Sequence, residues 1–251
     1  MHILKSFFPC FFILLFSKTA WCQTTLQLVT LEYPPYILQT GDSAQGLTID
    51  IVNEIFTRMN IPITYHFLPW TRSLHLLETK QVDALFTIKK TKEREATMLF
   101  PKEPLISQDY VFFVKKKSNV VFDGNYSSLA NLRIGVVDKT SYGNKFDTAV
   151  ANNVFKRLDS APNYELTFKK LLGDRVDAVI CSRLVGISML NKLGGLDKVQ
   201  ISGPPSETTV SYLVFSRKPE NTQLAENFDK IVNQMKVDGT INRILNKTKN
   251  N

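Results

Sequence analysis

The chain has 251 residues, 43% hydrophobic, 11% aromatic and 22% charged, with 11 Gly, 11 Pro and three Cys, which excludes the disordered, collagenous and disulfide-scaffold classes. That length suits one large domain or two lobes of roughly 100 residues each, and either buries a sizeable core without metal or disulfide staples. A formal net charge of +8 points to anionic partners, but apart from Lys115-Lys116-Lys117 the cations are scattered, which argues against nucleic acid.

Residues 1–22 read as an address. His2 and Lys5 precede the apolar stretch Phe7 to Phe16, half of the roughly 20 residues that span a bilayer and the right length for a signal-peptide core. Ala20-Trp21-Cys22 puts small residues at the third and first places before a cut ahead of Gln23, so a signal peptide 1–22 is expected. The competing reading, a lipid on Cys22, suffers from the bulk of Trp21. Cleavage removes Cys10 and Cys22 and leaves Cys181 alone. No intrachain disulfide can then form, and Cys181, inside Ala178-Val179-Ile180-Cys181, reads as a small core residue. No later stretch is long and apolar enough to cross a membrane, so an exported, soluble, periplasmic protein is expected.

Leu26 to Leu31 alternates as a strand that Tyr33-Pro34-Pro35-Tyr36 ends. From Leu47, apolar residues at 47, 51, 52, 55, 56 and 59 mark one buried helix face. Ile61 to Phe67 reads as a strand, Thr71 to Lys80 as a short helix and Val82 to Thr87 as a third strand. This βαβαβ order predicts a largely parallel α/β layer. Tyr110 to Lys115 is β-rich, and the polar stretch from Lys116 to Ser128, with its Asp123-Gly124-Asn125 turn, marks a lobe boundary. A second series restarts with Leu132 to Val137 as a strand, followed by Thr140-Ser141 and a helix from about Tyr142. Val82-Asp83-Ala84-Leu85 and Val176-Asp177-Ala178-Val179 then read as a local repeat. Val199 to Ile201 forms a strand, Gly203-Pro204-Pro205 a break, and Val210 to Ser216 a final strand. A long amphipathic helix through Leu224, Phe228, Ile231, Val232 and Met235 follows, and Asp238-Gly239-Thr240 separates it from a short one.

Four marks together carry a family resemblance: Tyr33-Pro-Pro-Tyr36 after the first strand, Val82-Asp-Ala leading to Thr91-Lys-Glu-Arg94, Arg133-Ile-Gly-Val-Val137 with its Thr140-Ser141 turn, and Asp238-Gly-Thr-Ile-Asn-Arg-Ile-Leu245. In their order the chain resembles the bacterial extracellular solute-binding proteins of family 3, the polar-amino-acid-binding group of ABC transporters. Pro69-Trp70-Thr71-Arg72 looks like the signature of a subgroup. The resemblance implies an α/β, two-lobed type II periplasmic binding protein fold with a hinge of two crossing strands. Lobe 1 would be 24–113 plus 211–251 and lobe 2 117–207, with hinges at 110–115 and 207–212.

The resemblance also implies a site. Arg94 takes the position that holds a ligand carboxylate, and its planar fork suits that role; the alternative is a surface charge in the basic run from Lys89. Thr140 and Ser141 stand where a strand hands over to a helix, so N–H groups and a hydroxyl can take an anion there or simply cap the helix. Thr87 ends the matching strand of lobe 1. Trp70 and Tyr33 fall at the aromatic positions that pack on the ligand, with core packing as the alternative. Arg72 is a second candidate cation or a solvated helix-start residue. Ser182 stands where amino-acid binders place the aspartate for the ligand ammonium, so a carboxylated or otherwise anionic molecule gains weight; Glu32 and Glu207 are possible substitutes. No cofactor, metal or nucleic acid is expected, and a monomer is. The partners are a small-molecule ligand and an ABC permease or a membrane sensor. Alternatives to transport are an orphan ligand-sensing subunit and a periplasmic dehydratase acting on a cyclic carboxylate, although Glu32 is the only carboxylate placed near the site and lacks a partner for proton transfer. His66 and His75 stand at no ligand spacing.

Overall fold

The computed structural model describes residues 25–41 and 43–247, the side chain of Lys247 excepted. The expected signal peptide and its cleavage site lie outside the described residues.

The chain runs β1 (Leu26–Thr30), a hairpin of β2 (Leu38–Thr40) and β3 (Ser43–Gln45), α1 (Leu47–Met59), β4 (Ile63–Phe67), α2 (Trp70–Glu78), β5 (Ala84–Ile88), α3 (Lys92–Thr97), β6 (Met98–Leu99) and β7 (Ile106–Lys115). After a 3-10 turn (Tyr126–Leu129) come β8 (Arg133–Val137), α4 (Asn144–Ala151), β9 (Arg157–Ala161), α5 (Tyr164–Leu172), β10 (Ala178–Ser182), α6 (Arg183–Lys192), β11 (Val199–Ser216), α7 (Asn221–Val237) and α8 (Thr240–Lys247). The apolar period of α1 gives its observed bounds, with Ile51, Val52, Ile55 and Phe56 fully buried. Each such side chain contributes about 1.5–3 kcal/mol on leaving water.

The strand order is β4-β1-β5-β11-β7-β10-β8-β9, with β6 paired to β11. The expected parallel pairing holds at each end, where β1 pairs with β4 and β5, and β8 with β9 and β10. In the middle it does not. Strands β5, β11, β7 and β10 pair antiparallel in succession, because β7 and β11 run in opposite directions between the two parallel sets. Lys115 pairs with Val199 at one end of this ribbon and Ile106 with Ser211 at the other. The predicted break at Gly203-Pro204-Pro205 is instead a register shift between Ser202 and Glu207 within one strand, since proline adopts extended backbone while withholding its ladder bond.

Helices cover both faces of the first set. Leu28 packs in the large core with α1, whereas Val29, the next residue, packs with Trp70, Leu74 and Leu77 of α2, the alternation a doubly covered sheet requires. The local repeat has a structural meaning. Asp83 accepts from the Gln27 N–H at 2.8 Å and Asp177 from the Arg133 N–H at 2.8 Å. In return the Asp83 N–H donates to the Gln27 carbonyl and the Asp177 N–H to the Arg133 carbonyl. Each Val-Asp-Ala corner thus pins the amino end of one parallel strand to its neighbour.

Candidate binding cleft

The carboxyl ends of β1 and β5 face the carboxyl end of β8, the position where open α/β sheets receive ligands. Leu31, Tyr33, Trp70, Thr87, Lys89 and Arg94 line one side of the cleft between them, and Thr140, Ser141 and Tyr164 line the other, with Tyr110 of β7 at its floor.

On the first side, the pairing of β5 with β11 slips between Tyr212 and Leu213, so that Phe86 and Ile88 are paired and Thr87 is left over as a bulge. Thr87 adopts φ +63°, a left-handed conformation rare for a β-branched residue, and the bulge turns it out of the ladder toward the cleft. Its hydroxyl donates to the Phe86 carbonyl at 2.6 Å. Arg94 sits in the first turn of α3, where its N–H donates to the capping Thr91 hydroxyl at 3.3 Å. The guanidinium donates to the Lys89 carbonyl at 2.9 Å and, across the cleft, to the Lys139 carbonyl at 2.8 Å. It stands 5.7 Å from the Trp70 ring, and burial lowers its pKa, against the fields of Asp147 and Glu78. Trp70 is buried and donates its indole N–H to the same Lys139 carbonyl at 3.2 Å.

Lys89 is 4% exposed. Its ammonium reaches the Ser211 hydroxyl at 3.0 Å and the Val210 and Thr209 carbonyls at 3.3 and 3.4 Å, and lies 4.6 Å from the Tyr110 ring. Burial pushes it down to about 7, with Glu207 and Asp147 pulling weakly the other way.

The floor is a ring of buried polar groups. The Tyr33 and Tyr110 hydroxyls are 3.1 Å apart, Gln108 donates to Tyr33 at 3.2 Å and to Ser182 at 3.4 Å, and Ser211 donates to Gln108 at 2.7 Å. Burial raises the pKa of Tyr33, Tyr110 and Tyr164, so these phenols stay neutral.

On the second side, the Ser141 hydroxyl donates to Asp147 and the Tyr142 N–H does so at 3.1 Å. Burial raises the Asp147 pKa in spite of these bonds and of Arg94. The start of α4 is occupied by the protein itself, because the Glu207 carboxylate accepts from the Lys145 N–H at 2.9 Å. Gly143, at φ +114°, makes room: a Cβ there would lie 2.4 Å from a Glu207 oxygen. The backbone N–H of Ser141 has no hydrogen-bond partner among the described residues.

The structure therefore brings together Tyr33, Trp70, Thr87, Arg94, Thr140 and Ser141. Arg72, in the first turn of α2, is exposed and is not on the cleft lining, and Ser182 is buried behind Gln108. Glu32 is exposed. Lys89 and Tyr164 belong to the lining without having been singled out. The first is hidden in a basic run, and the second follows an edge strand with little apolar signal. The cavity is about 20 Å³, space for about one water. With Trp70 and Arg94 both bonded to Lys139, the cleft described is shut, and a larger solute enters only if it opens.

A model of the bacterial extracellular solute-binding proteins, family 3, matches residues 27–250. A Vibrio harveyi protein provisionally named as an amino-acid ABC transporter-binding protein is 26% identical over 221 residues, 85% of this chain and 83% of its own length. The arginine-binding periplasmic protein of Mannheimia haemolytica is 26% identical over 235 residues, 90% of this chain and 93% of its own. Among solved structures, an ancestral arginine-binding protein bound to arginine superimposes with a TM-score of 0.76 at 22% identity, covering 89% of this chain and 97% of that one. The shared architecture is the two-lobed type II periplasmic binding protein fold, and the family and these relatives are solute-binding proteins rather than enzymes.

Proposed function

Since the chain belongs to the bacterial extracellular solute-binding proteins, family 3, we propose that it captures a small, carboxylated or otherwise anionic, amino-acid-like molecule between two closing lobes and delivers it to an ABC importer. The observation that carries the anionic reading is Arg94, part-buried beside Trp70 at the cleft with donors left over after its bonds to Lys89 and Lys139. Two N–H groups of one guanidinium suit the two oxygens of one carboxylate, and the unpartnered Ser141 N–H adds a third donor. Ser182 offers no charge for an ammonium.

Lobe 1 comprises 24–113 plus 211–251 and lobe 2 117–207, with β7 and β11 as the crossing strands that let the cleft open. The protein works as an exported, periplasmic monomer after removal of residues 1–22. Ligand contacts come from Tyr33, Trp70, Thr87, Arg94, Thr140 and Ser141, with Ser182 acting through Gln108. Arg72, exposed and off the cleft lining, makes no ligand contact in the shut cleft.

A thermal-shift screen against amino acids, dicarboxylates, cyclic carboxylates and sugars tests this, because a ligand at 100 times its Kd stabilises by about 2.7 kcal/mol. The expected hit carries a carboxylate and compacts the protein in X-ray scattering. Stabilisation by sugars alone overturns the proposal.

A further inference from the structure

Lys89 is a charged group whose position the capture of one carboxylate does not require. It lines the cleft at the end of β5, is 4% exposed, and forms no ion pair among the described residues. Such a group is costly to keep charged. Two of its three contacts, at 3.3 and 3.4 Å, are long for a charge-assisted bond, which lies near 2.7–2.9 Å. An anion entering the cleft can take one of their places.

Resting on the proposed function of the same cleft, we propose that Lys89 is a second cationic anchor beside Arg94, which makes the preferred ligand a dicarboxylate. The charged and titratable groups that face Lys89 are Glu207 of β11, Asp147 of α4, Tyr110 of β7 and Arg94 of α3. The two carboxylates are already engaged, Glu207 by the Lys145 N–H and Asp147 by Ser141 and Tyr142. They are therefore poorly placed to follow Lys89 into the cleft as counter-ions.

The missing ammonium anchor points the same way. With Ser182 behind Gln108, a plain dicarboxylate loses nothing by lacking an amino group. Binding to the charged form of Lys89 also imposes a direction on pH. Burial holds the free ammonium at about 7, and a bound carboxylate raises it. Binding above that pH then takes up a proton, and affinity falls by up to about tenfold per pH unit until the complex itself titrates.

The test titrates the protein calorimetrically at pH 6, 7, 8 and 9 with succinate, L-glutamate, L-glutamine and L-arginine, for wild type, Lys89→Met and Lys89→Arg. At pH 6, succinate and L-glutamate are expected to bind at least about tenfold tighter than L-glutamine. That advantage should fade above pH 7 in wild type, vanish in Lys89→Met, and persist to pH 9 in Lys89→Arg. Carbon NMR of ε-labelled lysines follows Lys89 directly, and its midpoint should rise when succinate is added, a reading that survives if Lys89→Met fails to fold. Equal binding of L-glutamate and L-glutamine, or a dicarboxylate preference retained in Lys89→Met, overturns the second anchor and leaves single-carboxylate capture standing. Binding of L-arginine in place of both dicarboxylates overturns the second anchor and the dicarboxylate assignment but leaves capture of a single carboxylate standing, and no binding by any of the four probes overturns the dicarboxylate assignment.

Discussion

Replacing Arg94 by alanine tests the site most directly. In the shut cleft the guanidinium holds the Lys89 carbonyl at 2.9 Å and the Lys139 carbonyl at 2.8 Å. A ligand carboxylate that takes two of its donors gains two charge-assisted bonds, each worth about 1.5–3 kcal/mol. If opening surrenders the bond to Lys139, one such bond is subtracted. Removing the guanidinium also leaves the ligand carboxylate desolvated against Trp70 without a partner. The net loss is about 2.7 kcal/mol or more, a hundredfold in Kd. Arg94→Lys should recover only part of this, because an ammonium cannot present a planar fork. Calorimetry with the ligand found by screening measures both variants, and circular dichroism checks that the fold persists. An Arg94→Ala protein that binds within a few-fold of wild type would refute the assignment of Arg94 as anchor.

Three further outcomes are expected. Asp177→Ala removes the acceptor of the Arg133 N–H and the 2.6 Å ion pair with its side chain; with Arg133 part-exposed, this should cost about 1–2 kcal/mol in urea denaturation. Arg133 holds the Asp177 pKa below its ordinary 3.8, so the contribution is full above that value and lost as pH falls through the folded one; the gap between variant and wild type should close in acid. Thr87→Gly relieves a left-handed conformation at φ +63° worth roughly 1–2 kcal/mol, against roughly 0.5–1 kcal/mol of added chain entropy. Its Tm should hold or rise while ligand affinity falls several-fold, and a fall in Tm of many degrees would contradict the strain. Sequencing of protein from the cell envelope should begin at Gln23, and an intact Met1 or a lipid on Cys22 would exclude that cleavage.

What could be read from the sequence depended on how locally each feature is determined. The stripe of α1 and the alternation of β1 are visible because one face of each meets the core. Strand β9 gives no such signal: of Arg157–Ala161 only Ala161 is buried, and Leu158 is 40% exposed. The antiparallel middle of the sheet was hidden because pairing direction depends on residues about a hundred positions apart, as with Ile106 and Ser211. In the cleft, Arg94 and Trp70 were found by motif position. Lys89 was not, since its inward turn depends on β11 offering acceptors at 209–211. Nor does spacing reveal that Gln108 bonds both Tyr33 and Ser182.

The two Val-Asp-Ala corners separate durability from recognition. Asp83 and Asp177 staple the parallel strands at the ends away from the cleft, while the groups proposed to read the solute sit about one strand length away, past the opposite ends. Exchanges among the readers leave the staples untouched. A population of such proteins can therefore drift in what it captures without approaching the threshold at which it unfolds, since changes at distant, unconnected sites add nearly independently. Specificity libraries built at 87, 89, 140 and 141 should accordingly contain mostly folded members, whereas the same number of changes around 83 and 177 should not.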